Sequence, residues 1–168
     1  MDVFEYALQM EKDGENYYRE LVEKTDNKGV RTIFGMLADE EVKHYNIVQA
    51  MRVPAGRGPK SEAPRMAETT VLADAKNVFA QMKESGETFD FDASQPDLYR
   101  KAQEIEKRSQ DFYAQKANEV QKEYQKETFL KLAEEEKKHY ILLENVIQFV
   151  SRPETWLENA EFYHLEEY

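Results

Sequence analysis

The chain has no cysteine, which excludes a disulfide framework, a thiolate metal site and thiol catalysis. Glycine (6) and proline (5) are scarce among 168 residues, which disfavours a turn-rich all-β fold. Histidine occurs only three times, so its positions carry information. No apolar run approaches the ~20 residues of a membrane span. The first residues, Met-Asp-Val-Phe-Glu, are acidic and lack a secretion-signal pattern, so a cytoplasmic location is expected. Positive charge is in deficit: 23 Lys and Arg face 34 Asp and Glu, for a net charge of −11. That balance argues against nucleic acid or an anionic membrane as partner. What remains, 40% hydrophobic and 34% charged residues, suits a helical domain large enough to bury a core.

Two stretches organise the chain. Leu132-Ala-Glu-Glu-Glu-Lys-Lys-His-Tyr140 repeats Leu37-Ala-Asp-Glu-Glu-Val-Lys-His-Tyr45 at an offset of 95 residues. The offset extends upstream without a gap, pairing Phe34 with Phe129, Tyr18 with Tyr113, Glu11 with Glu106 and Ala7 with Ala102. The chain is thus an internal duplication, and each copy holds one Glu thirty positions before a Glu-x-x-His.

Helical periodicity supports four long helices, over about 2–24, 28–51, 97–120 and 126–150. In the first, Val3, Ala7, Met10, Gly14, Tyr17/Tyr18 and Leu21 share a face with Glu11. In the second, Glu41 and His44 fall where core residues are expected, between Leu37 and Val48. Glu106 lies among Ala102, Ile105, Phe112/Tyr113 and Val120, while Glu136 and His139 lie among Phe129, Leu132, Leu143, Val146 and Val150. Buried charges must be paired or hold a metal. Arg52 to Pro64 and Gly86 to Pro96 read as loop, with a short helix over Val71–Lys83 that Thr70 would cap. Such a crossover lets the second and third long helices run parallel. The expected fold is an all-α four-helix bundle over 1–151, with a crossover at 52–96. A short helical tail over 152–168 would cover one end of the bundle or a neighbouring subunit.

Residues i and i+3 of a helix are about 60° apart and about 4.5 Å along the axis, so Glu-x-x-His aims a carboxylate and an imidazole at one spot. Two facing copies supply two carboxylates able to bridge two ions, Glu41 and Glu136, and one imidazole per ion, His44 and His139. Glu11 and Glu106 add one terminal carboxylate each. Four carboxylates balance two divalent cations; without metal, some would take up protons. This donor set suits iron or manganese, and zinc also fits it. Glu40 and Glu135, turned about 100° from their neighbours, are expected at the surface. Lys43 and Lys138 are expected as solvated flank, Tyr45 and Tyr140 at the core edge, and His164 in an exposed tail.

These motifs, spread over residues 2–51 and 97–150, resemble the ferritin-like di-iron carboxylate family, and within it rubrerythrin. The resemblance implies Glu11 and Glu106 as terminal ligands, Glu41 and Glu136 as bridging ligands, and His44 and His139 as one terminal ligand each. It also implies that Tyr18 and Tyr113 hydrogen-bond to the metal carboxylates. Two departures stand out. Rubrerythrins usually add a Cys-ligated rubredoxin iron centre, which a chain without cysteine does not build. They also carry an extra Glu three residues after the terminal Glu of the third long helix, where this chain has Ser109.

The implied activity is a non-haem di-iron oxidoreductase, a peroxidase or oxidase that reduces hydrogen peroxide or dioxygen. Two iron ions would be the cofactor and an external, rubredoxin-like protein the electron donor. A homodimer is expected from the aromatic tail and the long crossover. Two rival readings are a ferritin-like iron-binding and storage protein and a non-enzymatic acidic helical bundle.

Overall fold

In the computed structural model, residues 2–52, 66–158 and 165 are described. Most of the expected 52–64 loop, and the tail residues Phe162, Tyr163 and His164, lie outside them. The described residues form six helices: α1 (Val3–Lys24), α2 (Lys28–Met51), α3 (Val71–Ser85), α4 (Gln95–Lys116), α5 (Glu123–Ser151) and α6 (Pro153–Glu158). None of them is long and apolar enough to cross a membrane.

Local chemistry sets the helix ends. The Asp2 carboxylate accepts from Glu5 N (2.8 Å) and the Asn27 side chain from Val30 N (2.9 Å), satisfying amides that the first turns leave free. Gly86 closes α3 at φ 67°, a conformation that costs glycine little. Thr70, expected to cap α3, makes no capping bond; its hydroxyl donates to Asp74 instead (2.9 Å). Pro96 was expected in a loop but lies in the first turn of α4, where a missing N–H costs nothing. That helix ends at Lys116, four residues short of the expected Val120.

Side-chain contacts fix the directions. Tyr6 of α1 stacks near Phe112 of α4, and Tyr17 donates to the Leu98 carbonyl (2.8 Å), so α1 and α4 are antiparallel. His44 approaches Glu136 while Glu41 approaches His139, so α2 and α5 are antiparallel too. The three-residue link between α1 and α2 turns that pair back on itself. Helices α2 and α4 therefore run parallel, as the crossover permits. This is an all-helical, ferritin-like bundle.

Its core has two apolar layers. One holds Tyr18, Phe34, Leu142 and Val146, and is extended by Phe79 of α3 and Trp156 of α6, whose rings lie 4.5 Å apart. The other holds Ala7, Val48, Tyr113, Phe129 and Leu132. Burial of each large side chain contributes about 1.5–3 kcal/mol. Trp156, Leu157 and Leu165 bury against their own chain, so the described part of the tail covers one end of the bundle. Between the two layers lies a slab of buried polar groups.

Candidate metal centre

All six expected ligands meet in that slab. Glu11, Glu41, His44, Glu106, Glu136 and His139 are each at most 4% exposed, despite their separation along the chain. They form two overlapping groups: Glu11, Glu41, His44 and Glu136, and Glu41, Glu106, Glu136 and His139. Within each, one ligand atom per residue lies within 4.8 Å of the others. Glu41 and Glu136 belong to both, so each could bridge two ions.

The internal twofold of the sequence is visible in the contacts. The Tyr18 hydroxyl donates to Glu106 Oε1, and the Tyr113 hydroxyl to Glu11 Oε1, each tyrosine reaching into the other half. The two imidazoles stack 5.5 Å apart with planes 9° from parallel. Both turn Nδ1 toward the carboxylates: His44 Nδ1 is 2.9 Å from Glu136, and His139 Nδ1 is 3.4 Å from both Glu41 and Glu106. Gly14 faces the Glu41 carboxylate, and a methyl there would stand 3.4 Å from it, in ordinary contact.

Glu135 departs from expectation. It is buried, and its Oε1 lies 2.8 Å from His44 Nε2, the nitrogen that faces away from the cluster. The Thr69 amide, in the crossover, donates to its other oxygen (3.2 Å). Glu40 is buried as well, next to Lys43 (3.5 Å). The 100° turn away from Glu136 does occur, but it leads under the crossover and toward α2. The recurrence of Glu at 40 and 135 was the sequence signal for a role beyond solvation. Tyr140, expected at the core edge, is exposed, whereas Tyr45 is half-buried. Lys43 is exposed and Lys138 half-buried.

Burial and charge divide the four carboxylates into two kinds. Burial pushes Glu11 upward, but the nearby His44 charge, the close approach of Glu41 and the Tyr113 hydrogen bond outweigh it and lower its pKa. Burial likewise opposes ionisation of Glu106, yet the nearby His139 charge, the close approach of Glu136 and the Tyr18 hydrogen bond hold it at about 2. Glu41 is raised well above the carboxylate range by burial and by the charges of Glu136, Glu106 and Glu11. The same causes, burial and then Glu106 and Glu11, raise Glu136 to about 8. Burial would discharge both imidazoles, but Glu11 and Glu136 hold His44 well above its usual value, and Glu106 and Glu136 do so for His139. The metal-free cluster therefore favours protons on Glu41, Glu136 and both imidazoles and the charged form of Glu11 and Glu106.

Several of these atoms have no hydrogen-bond partner among the described residues: Glu11 Oε2, Glu106 Oε2, Glu136 Oε2 and both ring nitrogens of His139. Buried polar atoms rarely go unpaired. Oxygen and imidazole donors converging at this spacing fit a pair of divalent cations. A helical bundle with such a centre defines the ferritin-like carboxylate class. The family model described as Rubrerythrin matches residues 2–147, and the chain belongs to the rubrerythrin family. Comparison with curated proteins and with solved structures gave no match.

Proposed function

We propose that the chain binds two iron ions and reduces peroxide or dioxygen, with electrons returned by a separate donor protein. The observation that carries this reading is the sharing of Glu41 and Glu136 between the two ligand groups. Glu11 and His44 would complete one ion's ligands, and Glu106 and His139 the other's. An iron pair supplies two electrons at adjacent positions, matching the two needed to cleave an O–O bond. The chain's own residues fix the geometry and exclude water. Tyr18 and Tyr113 hold the terminal carboxylates by donating to one oxygen of each, leaving Oε2 free to face a cation. Their own pKa values are raised, by burial first and then by the neighbouring carboxylates, so both stay protonated donors. Glu135 accepts from His44 Nε2 and so presents Nδ1 to the centre.

Rapid mixing tests the activity. Protein loaded with Fe(II) in the absence of oxygen is expected to be oxidised by hydrogen peroxide far faster than free Fe(II). A rate equal to that of free iron removes the peroxidase reading. The outer support makes a second expectation. Glu135→Ala should weaken metal binding about 10- to 100-fold in a competition titration, the usual cost of losing a carboxylate behind a histidine ligand. Unchanged affinity would show that the Glu135–His44 contact does not orient the ring.

A further inference from the structure

A cavity of about 310 Å³ opens between α1 and α4, lined among others by Tyr6, Met10, Ile105, Ser109 and Phe112. We propose that it is a substrate pocket for small, uncharged organic hydroperoxides, which deepens the peroxide-reducing reading above and rests on it. Its position is the first argument. Met10 and Ile105 are equivalent under the 95-residue repeat and immediately precede Glu11 and Glu106. The cavity is therefore lined by the immediate chain neighbours of two of the buried carboxylates. Both imidazoles approach from α2 and α5, so the α1/α4 side is the one they leave clear. Ser109, a small residue one helical turn after Glu106, lines the cavity, and its repeat equivalent Gly14 lies against the Glu41 carboxylate.

Size and chemistry narrow the ligand. Hydrogen peroxide fills little more than a water's ~30 Å³, whereas pockets of ~300 Å³ and above suit small organic ligands. The walls are aliphatic and aromatic, with the Tyr6 and Phe112 rings 4.9 Å apart. At the rim, Gln9 donates to Asp13 (2.8 Å), and the exposed Arg108 lies 3.8 Å from Glu104. One cation, Arg108, thus stands against Asp13 and the neighbouring Glu104, so the rim has no excess of positive charge and an uncharged ligand is favoured. Ser109 is buried and lines the pocket, where its hydroxyl can meet a hydroperoxide oxygen. The reaction is ROOH + 2 e⁻ + 2 H⁺ → ROH + H₂O. The O–O bond breaks, the two electrons come by way of the centre from the external donor, and the protons come from solvent.

Cumene hydroperoxide and its unreactive product alcohol, 2-phenyl-2-propanol, test the assignment. Titration of the alcohol into the metal-free protein should give saturable NMR shifts at the Met10 and Ile105 methyl groups, and Ile105→Trp should abolish them. In the iron-loaded protein, the same substitution should lower kcat/KM for cumene hydroperoxide at least tenfold relative to that for hydrogen peroxide. Met10→Phe, a smaller filling of the same wall, should move the ratio the same way. Hydrogen peroxide turnover without saturable binding of the alcohol, or a ratio unmoved by both variants, overturns the pocket. Failure with both oxidants, while the alcohol still binds, overturns the peroxidase reading instead.

Discussion

Saturating Mn(II), or Fe(II) without oxygen, should raise the melting temperature of the metal-free protein by about 15–30 °C at pH 7. Ligand present at a thousandfold excess over its dissociation constant stabilises by about 4 kcal/mol per site, and each kcal/mol moves a domain of this size by about 2–4 °C. The same titration should release protons, because ligands must shed theirs before they bind. Glu41, Glu136, His44 and His139 are all shifted toward holding protons in the metal-free centre, Glu136 to about 8. Divalent ions thus take the place of protons there. Calorimetry in buffers of different ionisation enthalpy counts the protons. Release of none, or an unmoved melting temperature, would count against an assembled centre.

The pH dependence of the metal-free protein has a definite sign. Raised folded-state values for Glu41, Glu136 and both histidines mean that the folded state binds more protons than the unfolded one. Their contribution is complete below the unfolded values and is lost as pH rises, for Glu136 through about 8. Glu11 and Glu106 act oppositely, contributing above the ordinary carboxylate range and losing that contribution as pH falls, for Glu106 only near 2. The metal-free protein should therefore be most stable in mild acid and weaken by several kcal/mol toward pH 9. Metal binding should strengthen over the same interval.

The largest effect of substitution is expected for Glu41→Gln combined with Glu136→Gln. An amide copies the shape of a protonated carboxyl, so the metal-free protein at pH 7 should melt within a few degrees of the unaltered one. At pH 9 it should melt higher, since nothing at those two positions can ionise. Metal binding should collapse. Removing one partner of a buried charge pair costs about 3–5 kcal/mol, on the order of a thousandfold in affinity, and here two shared partners go at once. Retention of two tightly bound ions would show that these carboxylates do not bridge. A large loss of metal-free stability would show that they are ionised there after all.

Most of the centre was legible because its residues obey the helical period. Glu11, Glu41, His44, Glu106, Glu136 and His139 each interrupt an apolar stripe, and the stripe faces the bundle axis where they meet. Repetition at a fixed offset then separated these interruptions from chance. Glu135 was misplaced because periodicity reports the direction from a helix axis, not what lies in that direction. Its cover comes from Thr69 in an aperiodic segment. The same holds for Glu40. Thr70 had the right residue type and place for a cap, yet Asp74 captured its hydroxyl, a local competition that composition does not resolve. Tyr140 fell on the outer side because its helical neighbour His139 took the inward position.

The crossed tyrosines bear on ancestry. Tyr18 supports a carboxylate belonging to the later half of the chain, and Tyr113 supports one belonging to the earlier half. Neither half is self-sufficient: a fragment with one helical hairpin would have a tyrosine lacking its acceptor and half a set of ligands. Two identical fragments related by a twofold axis would complete each other. Joined in one chain, the two halves need not stay identical: Gly14 stands where the other half has Ser109, and Glu40 lies next to Lys43 while Glu135 meets His44.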